Sequence, residues 1–404
     1  MRLRPLALGA IVGVCAGSSA IAQQMPNVGN KRQTEIGLRL AVIHDSNISR
    51  SSEAVALMRG LQQEDYTYQP QATVSITQPI GRQVIFLRGS GGYDFHQENK
   101  RLDRRRIDVT GGGVASLSAC KVAATAAYAA GQSELDDLTG FAVKNLQKTT
   151  TEGVNVACGQ QRGFATLISG QHQDVTNSSI RQESTDHSSD TGTAAVSYVN
   201  PALGNLSVIF NYSVQDFPNR VNVTGGVGDG YLTRTLGANY DRRFGTKLKM
   251  AARAGATMVK RDSAPPGIPL KFTATTYNGS VDYILSRQFQ FTATASRAVM
   301  PSNRAGKLYD ITTDVDAHTR YKLGTRFVLT TGYTRSNTAS NTDTALVGAV
   351  ITKARLNTAY GSVNYRQSNK LSYIIDLRQL DRKTNLPMFD YSDTRFSISA
   401  ALTF

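Results

Sequence analysis

The last nine residues, Phe396-Ser397-Ile398-Ser399-Ala400-Ala401-Leu402-Thr403-Phe404, restrict the fold more than any other stretch of the chain. Phe396, Ile398, Ala400, Leu402 and Phe404 share one face of an extended strand; Ser397, Ser399, Ala401 and Thr403 share the other. A period of two sets the first group against an apolar medium and the second against a polar one. The alternation recurs upstream. Leu206, Val208, Phe210, Tyr212 and Val214 alternate with Ser207, Asn211, Ser213 and Gln215. Phe289, Phe291, Ala293 and Ala295 alternate with Gln290, Thr292, Thr294 and Ser296. Phe327, Leu329, Thr331 and Tyr333 alternate with Arg326, Thr330 and Gly332, and Leu371, Tyr373, Ile375 and Leu377 with Ser372, Asp376 and Arg378. One face of each strand is apolar and the other small, polar or charged, so the enclosed side is wet.

Short breaks divide these strands at 78–81, 119–121, 159–161, 200–204, 244–247, 286–288, 322–324 and 367–369, and a longer polar segment lies between successive breaks. Alternating short and long connections are the pattern of a membrane barrel with tight turns at one rim and loops at the other. In lipid every backbone polar group must be satisfied within the chain, and a sheet achieves this only by closing. The expectation is an all-β, transmembrane, antiparallel up-and-down barrel of about 16–18 strands over residues 34–404, wide enough for an aqueous lumen. After residue 22 no apolar run is long enough for a membrane-spanning helix, and the mildly negative mean hydropathy suits a barrel whose apolar residues are diluted by half. Tyr (17) and Phe (14) supply the aromatics with no Trp, and many fall near strand ends, where interfacial girdles belong.

Arg2 and Arg4 precede an apolar run from Leu6 to Val14, and Ala20-Ile21-Ala22 follows. Residues 1–22 therefore read as a secretory signal peptide, and 23–33 as a short periplasmic segment before the barrel. Val14 precedes Cys15 where a lipoprotein site needs a small residue. The formal charge of +15 falls to +13 once Arg2 and Arg4 are removed. Export and the scatter of basic residues, which form no continuous stripe, argue against nucleic acid as a partner. Basic residues do gather at the short turns: Arg82, Lys121, Arg162, Arg242, Arg243, Lys247, Arg287, Lys322, Arg326, Arg366 and Lys370. They are interfacial anchors or an electropositive mouth.

No catalytic, cofactor-binding or metal-binding set can be assembled. The histidines His44, His96, His172, His187 and His318 lack ligand spacing, and all but His318 fall at expected strand ends or in loops. Asp186-His187-Ser188-Ser189-Asp190 holds the residue types of a hydrolase triad, but neighbours in one loop cannot adopt its geometry. Gly89-Ser90-Gly91-Gly92 and Gly111-Gly112-Gly113 open no helix and read as points of strand curvature or close approach. Cys120 and Cys158 fall at successive short turns on the oxidising side, where a structural disulfide is favoured over free thiols. Arg326, Asp376 and Arg378 are the expected lumen-facing charges.

The strand closing on Phe404 resembles the carboxyl-terminal signal by which the barrel-assembly machinery recognises outer-membrane barrels, carried here by Phe396, Ile398, Ala400, Leu402 and Phe404. With His44-Asp45-Ser46-Asn47-Ile48-Ser49-Arg50 after the first strand and the hairpin register over 34–404, the chain resembles the EpsL-like β-barrel porins encoded with exopolysaccharide biosynthesis and export genes. That resemblance implies the outer membrane of a Gram-negative bacterium, contact with lipid and lipopolysaccharide, and a conduit for exopolysaccharide working with export-complex proteins. The alternatives are a general anion-preferring diffusion porin and a plugged barrel whose loops bind at the surface.

Overall fold

The computed structural model describes residues 31–133, 145–159, 162–221, 227–262, 270–302, 307–342 and 351–404. The segment read as a signal peptide lies outside them. Eighteen strands form one sheet. In chain order they are β1 (Gln33–Asp45), β2 (Asp65–Ile80), β3 (Gln83–His96), β4 (Arg104–Leu117), β5 (Cys120–Gln132) and β6 (Leu146–Gly159). Next come β7 (Gly163–Asn177), β8 (His187–Asn200), β9 (Gly204–Val221), β10 (Val227–Phe244), β11 (Leu248–Arg261) and β12 (Lys271–Ile284). The last six are β13 (Phe289–Pro301), β14 (Lys307–Leu323), β15 (Phe327–Thr342), β16 (Lys353–Arg366), β17 (Leu371–Thr384) and β18 (Tyr391–Thr403). Every pairing is antiparallel, and β1 pairs with β18, so the sheet closes on itself. The architecture is the expected barrel, at the upper end of the expected strand count.

The terminal strand closes it as its alternation requires. Leu402, Ala400 and Ile398 face Leu38, Leu40 and Val42 of β1 on the outer surface, and the Phe404 N–H donates to the Ile36 carbonyl at 2.8 Å. Leu40, Val208 and Leu236 are each more than half exposed on that outer surface, which identifies a band built to face hydrocarbon. Short connections and the end of β18 share one rim. Gly81, Gly245 and Gly324 take φ of 61°, 59° and 65° there, in the left-handed region that tight hairpin turns use and Cβ-bearing residues avoid. At the other rim the connection after β1 carries a short helix, α1 (Glu53–Met58), and is tied down by buried polar groups. Asn47 donates from Nδ2 to the Ser51 carbonyl at 3.0 Å, and the Asp65 carboxylate accepts backbone N–H bonds from Gln97, Glu98 and Asn99 at 3.1, 3.0 and 2.9 Å.

The glycine runs do what close packing requires. Phe86 of β3 faces inward opposite Gly112 of β4, and a Cβ on Gly112 would lie 2.4 Å from the Ala124 carbonyl and 3.0 Å from the Phe86 ring. Bare backbone there makes room for an aromatic ring on the inner wall.

One seam of the wall parts toward its outer end. β12 pairs with β13 only from Ile284↔Gln290 to Tyr277↔Arg297, although both strands continue beyond that point. The outer half of β13, still paired with β14, which in turn stays paired with β15, leans over the lumen instead. Val299 packs with Phe217, Tyr231 and Val259 in a buried apolar cluster, to which Phe272, Ala274, Tyr309 and Ile311 also belong. The Ser302 carbonyl accepts a hydrogen bond from Arg220 Nη1 on β9 at 3.1 Å, so the end of β13 reaches past β12, β11 and β10.

Candidate functional site

The candidate site is the lumen wall, and its chemistry follows from strand parity. Residues at the wet positions of neighbouring strands face each other across the ladder, so isolated arginines in the sequence become clusters in the fold. On β17, β18, β1, β3 and β4 the inner face carries Arg378, Arg395, Arg39, Arg88 and Arg106. Four carboxylate contacts orient this sector. Arg378 Nε lies 2.7 Å from Asp376, and Arg106 Nε 2.8 Å from Asp94. Arg395 holds Asp45 through Nε at 2.9 Å and through Nη2 at 2.5 Å. Arg39 donates to the Ser399 hydroxyl at 3.2 Å and stands close enough to Arg106 and Asp376 to feel the charge of both. Pairing fixes the guanidinium planes without removing their remaining donors, each of which can meet an anion in a fork geometry.

A second basic sector lies on β9–β11. Arg261 grips Asp229 bidentately, with Nε and Nη2 each 2.9 Å from a carboxylate oxygen, and Arg220 lies 3.7 Å from the same carboxylate. The Arg220 guanidinium sits 3.5 Å from the Phe217 ring centroid, a desolvated cation–π contact. Arg253 adds a further cation, half-buried on the inner face of β11. β14 contrasts with both sectors: Asp310, Asp314 and Asp316 share its inner face, with His318 Nδ1 2.7 Å from Asp316 and the Ser340 hydroxyl bonded to Asp310. β6–β8 line their side largely with Thr, Ser, Asn and Gln, as in the 2.8 Å hydrogen bond from Thr193 of β8 to Asn211 of β9, and β5 adds mainly Ala. Arg320 shares the inner face of β14, and Asp108 and Asp393 stand among the arginines of the first sector, so the separation of charge around the lumen is partial.

Asp376 and Arg378 stand on the inner face of β17 and pair with each other. Arg326 does not belong to that wall. It closes the short turn between β14 and β15, because pairing resumes only at Leu323↔Phe327. The expectation placed it one residue inside a strand that begins after it. Cys120 and Cys158 face each other across β5 and β6 and form a disulfide, S–S 2.05 Å. His187 to Asp190 begin β8 and are not loop residues, so their side chains alternate between faces and cannot converge. His172 is likewise within β7, on the outer face, with Asp190 at 2.7 Å and Asp174 at 3.0 Å. Among the described residues no group of three or more His, Cys, Asp or Glu is arranged to hold a metal ion. A depression of 470 Å³ beside Phe291, Tyr333, Ala359 and Leu377 lies on the outer wall, where small side chains leave the apolar band thin.

The sequence reading missed Arg39, Arg88, Arg106, Arg220 and Arg261. A signal existed for two of them: Arg39 stands between Leu38 and Leu40, and Arg88 follows Leu87, each a charge at a wet position next to apolar neighbours.

No protein-family model matches the sequence, and no curated protein matches it. Solved structures do match in fold. A BenF-like porin from Pseudomonas fluorescens Pf-5 aligns over 93% of this chain and 99% of its own, with a TM-score of 0.51 and 12% identity. OccK2 (OpdF) of Pseudomonas aeruginosa aligns over 93% and 98%, with a TM-score of 0.50 and 11% identity. At such identity the likeness is one of fold, a closed barrel spanned from end to end by the same architecture.

Proposed function

We propose that the protein is an outer-membrane porin of a Gram-negative bacterium that passes small anionic solutes. The observation that carries this reading is the arginine-bearing lumen wall of a closed eighteen-strand barrel. An arginine held by one carboxylate keeps donors for another, so a carboxylate or phosphate can exchange along Arg378, Arg395, Arg39 and Arg106 without meeting a bare hydrocarbon wall. The outer apolar band, the terminal strand closing on Phe404 and a disulfide at the short-turn rim support export, delivery by the barrel-assembly machinery and residence among lipid and lipopolysaccharide. The +13 mature charge supports anions over cations.

The small-solute reading is favoured over a polysaccharide conduit. The end of β13 leans inward as far as the Arg220 side chain of β9, which holds the Ser302 carbonyl and narrows the passage where a polymer would need width. The test is reversal potential in planar bilayers under a potassium chloride gradient. Chloride preference at low salt supports the proposal, and it declines as salt screens the walls over about 8 Å at 0.15 M. Cation preference, or conductance that rises with a bound neutral polysaccharide instead of a small anion, overturns it. Arg39→Glu with Arg106→Glu is expected to remove most of the chloride preference in barrels that still run as folded.

A further inference from the structure

The outer half of the β13–β14 hairpin has two places to go, and the sequence suits both. In the lumen position, Val299, Tyr309 and Ile311 pack against Phe217, Tyr231, Val259 and Phe272 on the inner wall, and Arg220 holds the Ser302 carbonyl. That position leaves the start of β12 without its neighbour on one side: Phe272 to Thr276 pair with β11 but not with β13. The register already set by Tyr277↔Arg297 continues without a shift to Thr276↔Ala298, Thr275↔Val299, Ala274↔Met300, Thr273↔Pro301 and Phe272↔Ser302. Parity makes this continuation chemically consistent. Val299 lies on the same face of β13 as Phe289, Phe291, Ala293 and Ala295, and Ile311 and Tyr309 oppose Val299 and Pro301 on β14. That face is lipid-directed lower in the same strands. The identical apolar face is therefore buried by the inner pocket in one position and continues the outer apolar band in the other.

We infer that the outer half of β13 (residues 297–302), carried with the start of β14 to which it is paired, exchanges between the lumen and the β12 edge, and that this exchange opens and closes the passage. The gating half of the inference rests on the porin reading above; the exchange itself does not. The lumen position gains the packed apolar cluster and the wall position gains the β12–β13 backbone pairs, and such offsetting gains are the condition for a bistable element. An anion competing for Arg220 would release Ser302 and favour the wall position, coupling occupancy to opening.

Two cysteine pairs sharing one residue separate the positions: Val259→Cys with Val299→Cys locks the hairpin in, and Thr275→Cys with Val299→Cys locks it out. The native cysteines Cys120 and Cys158 are already bonded to each other and do not compete. In the refolded chain from residue 23 onward, which lacks Cys15, oxidised by copper phenanthroline, both pairs are expected to cross-link to high yield, read by mass spectrometry. In bilayers the 275–299 form is expected to conduct several-fold more than the 259–299 form. Cross-linking of 259–299 alone, with 275–299 left reduced in protein shown to be folded, overturns the exchange. Equal conductance of the two locked forms overturns the gate. Conductance absent from both forms, with both cross-links made, overturns the porin reading and the gate together while leaving the exchange standing.

Discussion

Two seams of this barrel behave oppositely to what distance along the chain would suggest. β1 and β18 meet from opposite ends of the sequence, yet they stay paired from Gly37↔Thr403 to Asp45↔Arg395. β12 and β13 are joined by a four-residue connection, 285–288, yet their pairing stops at Tyr277↔Arg297. Loop-closure entropy favours the second pair, so it is not what decides. The terminal seam has matched apolar residues outside and a charge pair inside, Asp45 with Arg395, and β18 finds no competing partner for either face. The outer half of β13 does have a competitor, the apolar pocket of β9–β12. A strand leaves its sheet when its side chains are buried better elsewhere.

The terminal seam is expected to be the more damaging one to break. Deleting Phe404, or replacing both Leu402 and Phe404 by Asp, removes the outer contacts that hold β18 to β1 and places charge in the apolar band. An ionised residue at mid-bilayer costs about 2–4 kcal/mol for Arg or Lys and less for Asp, so the larger loss is of recognition during assembly. The expected outcome is near-complete loss of the heat-modifiable barrel from outer-membrane fractions. Barrel at wild-type abundance in the double variant would show that closure does not depend on these residues.

A smaller effect is expected from the charge pair within the same seam. Asp45 is almost fully buried and its partner guanidinium is about a quarter exposed. Arg395→Ala leaves a carboxylate in a dry site, whereas Asp45→Ala leaves a guanidinium able to turn toward lumen water. The first is expected to cost about 3 kcal/mol, the low end for a broken buried pair, and the second clearly less. Urea midpoints of the refolded barrel measure both. Asp45→Asn in the Arg395→Ala background is expected to recover part of the loss, since it removes the stranded charge; a double variant no better than the single one would refute that account.

At the other seam, Val299→Ala removes two methyl groups from the inner cluster. The transfer free energy of roughly 0.8 kcal/mol each is lost in both positions, so only the cavity left in the close-packed cluster shifts the balance, modestly and toward the β12 edge. Open-channel occupancy in single-channel records is the measure, and it should rise. Thr275→Pro, which removes a backbone donor from the β12 edge, is expected to move occupancy the other way.

These contrasts show why part of the molecule was readable from sequence. Alternation along β9, β17 and β18 fixed which side chains face lipid, and the spacing of short breaks fixed the hairpin order. The pairing of Cys120 with Cys158 was within reach for the same reason, because consecutive hairpins bring successive short turns side by side. The inward lean of the outer half of β13 was not readable. Val299 and Ile311 look lipid-directed by parity, and nothing in a period of two distinguishes hydrocarbon from an apolar pocket on the opposite wall. The strands also run past the apolar band: β7 reaches Asn177 and β8 starts at His187, inside a segment that looked like loop because its outward residues are polar. Arginine pairing across strands needed the register, which the sequence supplies only to within a residue or two. Arg326 shows what one residue of slip does.

That slip yields the finest comparison, between two arginines expected to act alike. Arg378 stands on the inner wall of β17 beside Asp376, opposite Arg395 of β18. Arg326 sits in the turn at the rim, its carbonyl accepting the Arg366 N–H at 2.8 Å. Reversing Arg378 to Glu sets two carboxylates next to each other on the wall of the proposed anion passage, and is expected to lower the chloride preference at low salt measurably. Reversing Arg326 changes a charge that water surrounds, screened over about 8 Å at 0.15 M salt, so its effect should be small and should vanish first as salt rises. Reversal potentials for the two variants, taken across a series of salt gradients, make the comparison. An effect of Arg326→Glu equal to that of Arg378→Glu and equally persistent in salt would mean that the narrow, selective part of the passage lies at the short-turn rim, not along the wall.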